Sequence, residues 1–75
     1  MIDKNGTLVV AGARCLFYAD GQEAWVSGIV RVARDTGVWA GHARVDDGDP
    51  ANEDLHTNGF RISAWVPSDE IEVLP

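Results

Sequence analysis

Three aromatic residues are the strongest candidates for chemistry in this sequence. If each strand alternates between two faces, Tyr18, Trp25 and Trp65 fall on faces opposite the predicted core. Large rings exposed on a small domain usually mark a contact surface, and their faces attract cations. Three interpretations stay open: a protein–protein interface, a platform for a small ligand, or burial of Trp25 or Trp65 where a bent strand exchanges its faces.

An acidic segment at residues 46–54 is the second candidate. It holds five of the twelve acidic residues, namely Asp46, Asp47, Asp49, Glu53 and Asp54. A calcium loop needs oxygen ligands at alternate positions, then glycine and a distal glutamate. Here Pro50 and Ala51 interrupt the series and Gly48 comes too early, so we expect no metal site. The segment is expected to be a solvated loop; the alternative is a rim of Asp46, Asp47 and Asp49 that attracts cations.

No residue pattern predicts catalysis. His42 and His56 could transfer protons near neutral pH, but neither belongs to a recognisable nucleophile arrangement. Cys15 occupies a core-like strand position, where a thiol is usually unreactive. The serines lack an elbow motif; they are Ser27, Ser63 and Ser68. No glycine-rich phosphate loop is present, so the sequence favours a protein that is not an enzyme and needs no cofactor.

Short strands must position these residues. Turn signals recur at 4–6, 20–21, 35–37, 46–50 and 57–59, and the segments between them are rich in Val, Ile and aromatic residues. Strands are predicted at 8–18, 23–34, 37–46, 59–66 and 71–74. Pro67 and Ser68 start a single helical turn before the last strand. The spacing predicts one all-β domain over 1–75, an SH3-like five-stranded barrel whose closure removes exposed edges; an OB-like barrel is the alternative.

Alternation along the strands predicts the core. The inward positions follow the period of two that a half-buried strand requires. They are Phe17 in the first strand; Ala24, Val26, Gly28, Val30 and Val32 in the second; Trp39, Ala43 and Val45 in the third; Phe60, Ile62, Ala64 and Val66 in the fourth; and Ile71 and Val73 in the last.

Composition restricts the classes of partner. A chain of 75 residues buries a small core, and its single cysteine, Cys15, excludes an intrachain disulfide, so a homo-oligomer is favoured. The net charge of −6 argues against nucleic acid and anionic membranes as partners and suits a cationic peptide or small cationic ligand. The absence of a signal segment or membrane span, with a free thiol, favours a cytoplasmic protein.

The stretch RCLFYADGQEAWVSGIV resembles the first two strands of Tudor-type domains. In that family an aromatic residue ends the first strand, an acidic-Gly turn follows, and a second aromatic residue precedes an isoleucine. The resemblance implies an aromatic cage in which Trp25 and either Phe17 or Tyr18 bind methylated lysine or arginine.

A looser resemblance covers more of the chain. The segments GARC, GQEAWVSGIV, ARVDD and FRISAWVPSDEIEVL are similar to plasmid-borne type II dihydrofolate reductases, small SH3-like barrels often carried on gene cassettes that assemble as tetramers around a pore. Their pore motif, Val-Gln-Ile-Tyr, corresponds to Ile62-Ser63-Ala64-Trp65 here. Because the glutamine is absent, the resemblance implies the architecture and a position for Trp25 between subunits, not the reductase activity.

The sequence therefore predicts a non-catalytic interaction module that associates with itself, with Trp25 and Trp65 at contact surfaces. The alternative is a small-ligand or methylated-cation binding barrel, with a cage of Tyr18, Trp25 and Trp65 rimmed by the three aspartates. A pore-type reductase is the third interpretation.

Overall fold

Five antiparallel strands form one sheet in the computed structural model, which describes residues 1–52 and 62–75. They are β1 (Arg14–Ala19), β2 (Ala24–Arg34), β3 (His42–Asp46), β4 (Ser63–Pro67) and β5 (Ile71–Val73), in the spatial order β4-β3-β2-β1-β5. A 3-10 turn at Ser68–Glu70 separates β4 from β5. The prediction of a small all-β, barrel-like fold with a short helical turn before the last strand is confirmed.

The sheet is curled but not closed. Residues of β1 and β4 approach each other across the core. In the part of the chain that the structure describes, however, β4 and β5 form the two edges and share no ladder. The expectation that closure removes the edges is therefore wrong for these residues.

Two predicted strands are shorter than expected because glycines in the left-handed region interrupt them. Gly12 has a φ of 91° and ends a turn before β1, so residues 8–13 do not extend that strand. Gly41 has a φ of 74° and directly precedes β3. Trp39, predicted in the core, lies before that break and is 43% exposed, since the alternation of β3 cannot be extended back through the turn.

A β-bulge in β2 changes which residues face the core. Val30 pairs with Val45, but the next paired residue is Val32, opposite Arg44. Arg31 is therefore an extra residue without an opposite partner in the ladder. Beyond the bulge Ala33, not the predicted Val32, packs against the core.

The predicted core is otherwise largely confirmed. Val26, Gly28 and Val30 are buried in β2, although Ala24 at its start is exposed. The fully buried residues include Phe17, Val30, Val45, Ile71 and Cys15. Partly buried residues packed against them include Ile62, Ala64 and Val73. Phe60 lies outside the described residues.

Residues 1–10 form a ribbon, here called the N-terminal ribbon, that folds against the sheet. Ile2 and Leu8 make an antiparallel bridge. Asp3 and Val9 point inward and are buried. One Asp3 carboxylate oxygen accepts hydrogen bonds from the backbone of Asn5 and Thr7, both at 2.8 Å, and the other accepts one from Val73 of β5 at 2.7 Å. The buried carboxylate thus ties the ribbon to an edge strand.

Candidate functional site

Tyr18 and Trp25 form an aromatic pair at the β1–β2 turn. The two residues are opposite each other in the ladder, and their rings meet edge to face with centroids 5.9 Å apart. The Lys4 ammonium nitrogen lies 4.7 Å from the centroid of the Trp25 ring. The Trp25 side chain, 44% exposed, therefore presents a ring that holds a cation from its own chain. We call Lys4, Tyr18 and Trp25 the Trp25 site.

A second aromatic cluster joins the turn before β3 to β4. The rings of Trp39 and Trp65 are stacked, with centroids 5.0 Å apart and planes 5° from parallel. The His42 ring contacts Trp39 edge to face, and the Arg44 guanidinium lies 6.0 Å from the Trp65 ring centroid. We call the two stacked indoles the tryptophan stack.

An open groove of about 260 Å³ adjoins the tryptophan stack. Its lining consists of Arg34, Thr36, Gly37, Val38 and Trp39. Val38 is 93% exposed. Sequence reasoning missed this surface because it extended a strand through residues 37–41; the two glycines that flank the VWA triplet are the signal that could have indicated a turn.

The structure brings together only some of the predicted cage residues. Tyr18 and Trp25 are in contact, whereas Trp65 stacks on Trp39. In the sheet Trp65 of β4 pairs with Arg44 of β3, and Arg44 pairs with Val32 of β2. Val32 lies seven residues after Trp25 in β2. At the rise of a strand this corresponds to roughly 20 Å. The three rings therefore belong to two separate surfaces.

The predicted aspartates bind groups within the chain. Asp46 accepts two hydrogen bonds from the Arg31 guanidinium, at 2.8 and 3.0 Å, and this pairing raises the pKa of Arg31. Asp47 is buried and accepts a hydrogen bond from the Ile62 backbone at 2.9 Å. The expectation of a solvated loop is wrong for Asp47 and for Asp49, which is also buried. Glu53 and Asp54 lie outside the described residues.

Asp49 fastens this segment to β1. Its carboxylate accepts hydrogen bonds from the Ala51 backbone at 3.1 Å and from the Arg14 guanidinium at 2.9 Å. The hydrogen bond from Ala51 lowers the pKa of Asp49, burial raises it, and the hydrogen bond and charge of Arg14 lower it further. The pKa of Asp49 is therefore below its usual value. Asn52 adds a contact to β2, where its amide oxygen accepts a hydrogen bond from the Ser27 hydroxyl at 3.0 Å. Asp49 and Asn52 therefore connect this segment to β1 and β2.

The candidate nucleophiles form no reactive arrangement in the described residues. Cys15 is fully buried, and burial, with a smaller contribution from the charge of Asp49, raises its pKa to about 11. Its thiol is therefore protonated at neutral pH, as the sequence predicted for a packing residue. The His42 ring nitrogen Nδ1 lies 3.0 Å from the Ala40 carbonyl oxygen. His56 lies outside the described residues.

Neither a metal centre nor a membrane-spanning helix is found in residues 1–52 and 62–75. No group of three or more His, Cys, Asp or Glu side chains in these ranges is placed to hold an ion. No helix there has the length and apolar character to cross a bilayer.

Comparisons with known proteins identify no relative. No family model matches the chain, and neither a curated protein nor a solved structure matches it significantly. The resemblances to Tudor-type domains and to type II reductases stay predictions.

Proposed function

We propose that this chain is a non-catalytic interaction module that associates with itself. The observation that supports this proposal is the outward face of the N-terminal ribbon. Ile2, Leu8 and Val10 are 57%, 61% and 50% exposed, respectively. The bridge puts Ile2 opposite Leu8, and Val10 follows two residues later on the same side. Three adjacent exposed apolar side chains are more typical of a contact surface than scattered ones are.

A second copy of the chain fits this face because the face carries no charge. The ribbon has two charged side chains, of which Asp3 is buried and Lys4 lies on the Trp25 ring. In a twofold dimer the same surface patch of both molecules meets, so a neutral apolar face avoids like-charge repulsion between molecules that each carry −6. A stable interface buries about 800 Å² per partner, so the contact extends beyond these three residues. Lys4 leads from the ribbon to Trp25, which we place at the border of the same interface.

Leu8→Asp is expected to weaken self-association by about a hundredfold or more, because a twofold interface loses two buried leucines and gains two charges. Light scattering coupled to size-exclusion chromatography over a range of concentrations measures this as a shift of the dimer–monomer midpoint. Leu8 is exposed in the single chain, so the thermal midpoint of the Leu8→Asp variant at low concentration should differ little from that of wild type.

Val38→Asp is the matched control for this experiment. It puts the same charge at an exposed apolar position outside the ribbon, and the assembly midpoint should stay where it is. A wild-type chain that is monomeric at every concentration would refute self-association. Equal weakening by both variants would refute the assignment of the contact to the ribbon.

Cation binding at the Trp25 site is a second candidate function, favoured by the position of Lys4. An ammonium group already lies on the Trp25 ring, with Tyr18 beside it. The attraction between a cation and an indole face is independent of where the cation comes from. In this proposal an external methylated ammonium group displaces Lys4.

Lys4→Ala is expected to strengthen binding of tetramethylammonium by about tenfold, because the variant removes the internal competitor. Titration monitored by tryptophan fluorescence measures the affinity. Trp25→Phe should abolish most of the response, while Trp39→Phe should keep it. No response from wild type or Lys4→Ala at millimolar tetramethylammonium would exclude this function.

A further inference from the structure

We propose that the tryptophan stack and its groove dock an acidic, extended segment of a different protein. The residues of this surface are not those of the N-terminal ribbon, and the proposal does not depend on self-association. It rests on a rigid aromatic platform, on the placement of arginines around it, and on the shape of the groove.

The platform is rigid before any partner arrives. Trp39 stacks on Trp65 at 5.0 Å, and Trp65 belongs to a strand paired along its length with β3. The turn that carries Trp39 is closed by backbone hydrogen bonds from Gly41 to Arg34 at 2.9 Å and from Ala40 to Gly37 at 3.2 Å. A ring held in this way loses little conformational entropy on binding, which is typical of tryptophan anchors in interfaces.

The charge around the platform is opposite to the charge of the whole chain. Of the described basic side chains, Arg14 and Arg31 are paired with aspartates, and Lys4 lies on Trp25. The remaining two are Arg34, which lines the groove, and Arg44, which lies over Trp65. Neither makes an ion pair within residues 1–52 and 62–75. In a protein of net charge −6 this is a local basic surface, and it complements carboxylates.

Asp35 and Asp46, the acidic residues closest in sequence to Arg34 and Arg44, are each paired with another cation. The Asp35 carboxylate, next to Arg34, lies 2.7 Å from the Met1 amino group. Asp46 faces Arg31. The His42 ring contacts Trp39 edge to face. The two guanidinium groups are therefore available to carboxylates of a partner.

The shape of the groove and the charge select an extended peptide over other occupants. At about 260 Å³ the groove is smaller than the roughly 300–1,000 Å³ of small-molecule sites, and it is open. It suits one side chain of a longer segment lying across Val38 and Trp39. If a second copy of the chain docked through the same face, the arginines Arg34 and Arg44 of the two molecules would lie near each other, and their like charges would repel. Nucleic acid needs many more phosphate contacts than two arginines supply to an acidic chain.

Fluorescence anisotropy of short labelled peptides tests this proposal. An alternating glutamate–leucine peptide is expected to bind at least tenfold more tightly than the lysine–leucine and glutamate–serine peptides. The first comparison tests the charge and the second tests the apolar contact. Equal binding of all three peptides, or no binding of the glutamate–leucine peptide at millimolar protein, would overturn the proposal.

Three variants locate the binding surface. Arg34→Ala combined with Arg44→Ala should weaken binding by about tenfold or more with an unchanged thermal midpoint, and Trp39→Ala should weaken binding by a similar factor. Lys4→Ala removes a basic residue elsewhere and should leave the affinity unchanged. Unaltered binding by the arginine double variant would overturn the proposal.

The outcome is distinguishable from that of self-association. Leu8→Asp should still bind the glutamate–leucine peptide, whatever its oligomeric state. If the arginine double variant instead lowers the molar mass in light scattering, the occupant of the surface is a second copy of this chain, and the peptide proposal is wrong.

Discussion

Replacing Gly28 with alanine is expected to lower the free energy of unfolding by about 3 kcal/mol or more, the upper range for overpacking of a core. A Cβ atom at this position would lie 2.5 Å from the Asp46 carbonyl oxygen and 2.5 Å from Cε1 of Phe17. The carbonyl belongs to the β2–β3 ladder, and the Phe17 ring is completely buried, so neither can retreat easily. A core of this size supplies only about 3–5 kcal/mol. The variant should therefore retain at most about 2 kcal/mol of stability, so a measurable fraction of it should be unfolded at room temperature.

Gly21→Ala is the matched control for Gly28→Ala. A Cβ at Gly21 would meet no atom within 4 Å, so its unfolding midpoint in urea should stay close to that of wild type. Circular dichroism follows both titrations. A Gly28→Ala variant with the wild-type midpoint would mean that β1, β2 and β3 do not pack as described.

Asp3→Asn is expected to destabilise the fold by about 2 kcal/mol, the cost of a buried donor left without its acceptor. Every hydrogen bond to the two carboxylate oxygens comes from a backbone N–H, of Asn5, Thr7 or Val73. An amide has one oxygen and one NH2 group, so in either orientation the NH2 faces another donor. Turning the amide oxygen toward Asn5 and Thr7 keeps two of the three hydrogen bonds but leaves the Val73 N–H without its acceptor, which breaks the link between the N-terminal ribbon and β5. Asp20→Asn, at an exposed turn position, is the control.

The stability lost in Asp3→Asn should depend on pH in a defined direction. Burial by itself raises the pKa of Asp3, but the N–H groups of Val73, Thr7 and Asn5 hold it below the usual value. A carboxyl whose pKa is lower in the folded state than in the unfolded state stabilises the fold when it is ionised. This stabilisation is complete above the unfolded-state pKa, about 3.9, and is lost as pH falls through the folded-state pKa. The difference between wild type and Asp3→Asn in urea unfolding should therefore be largest near neutral pH and shrink below about pH 4. A difference that is constant over this range would contradict the role given to the Asp3 charge.

Much of the fold was predictable because the sheet has a strong period of two. The alternation of Val26, Gly28 and Val30, and the burial of Phe17 and Ile71, follow from local pattern alone. The bulge at Arg31 was not predictable, because the residues after it are apolar at both Val32 and Ala33, and the sequence does not show which of the two faces the core. Trp39 was misplaced for a related reason: apolar type suggested the core, while the flanking glycines specified a turn.

The candidate surfaces were predictable only in part. The pairing of Tyr18 with Trp25 follows from the position of the DG turn between β1 and β2. The stacking of Trp65 on Trp39 depends on a contact between distant segments, which local pattern does not encode. Asp3 was also missed, although the DKNGT segment has the Asp and Asn-Gly chemistry of a tight turn that accepts backbone hydrogen bonds.

The bulge at Arg31 has a consequence for how the length of this chain can change during evolution. Inserting or deleting one residue in a regular strand exchanges its two faces and exposes the core side. At Arg31 a deletion would not exchange the two faces, because β2 already holds one residue more than β3 at this point of the ladder. Deleting Arg31 would keep Val30 and Ala33 inward and Val32 outward, at the loss of the Asp46 ion pair and the local bend. A single-residue gap is therefore tolerable at this point of β2, and descendants of a common ancestor could differ there while sharing the same core.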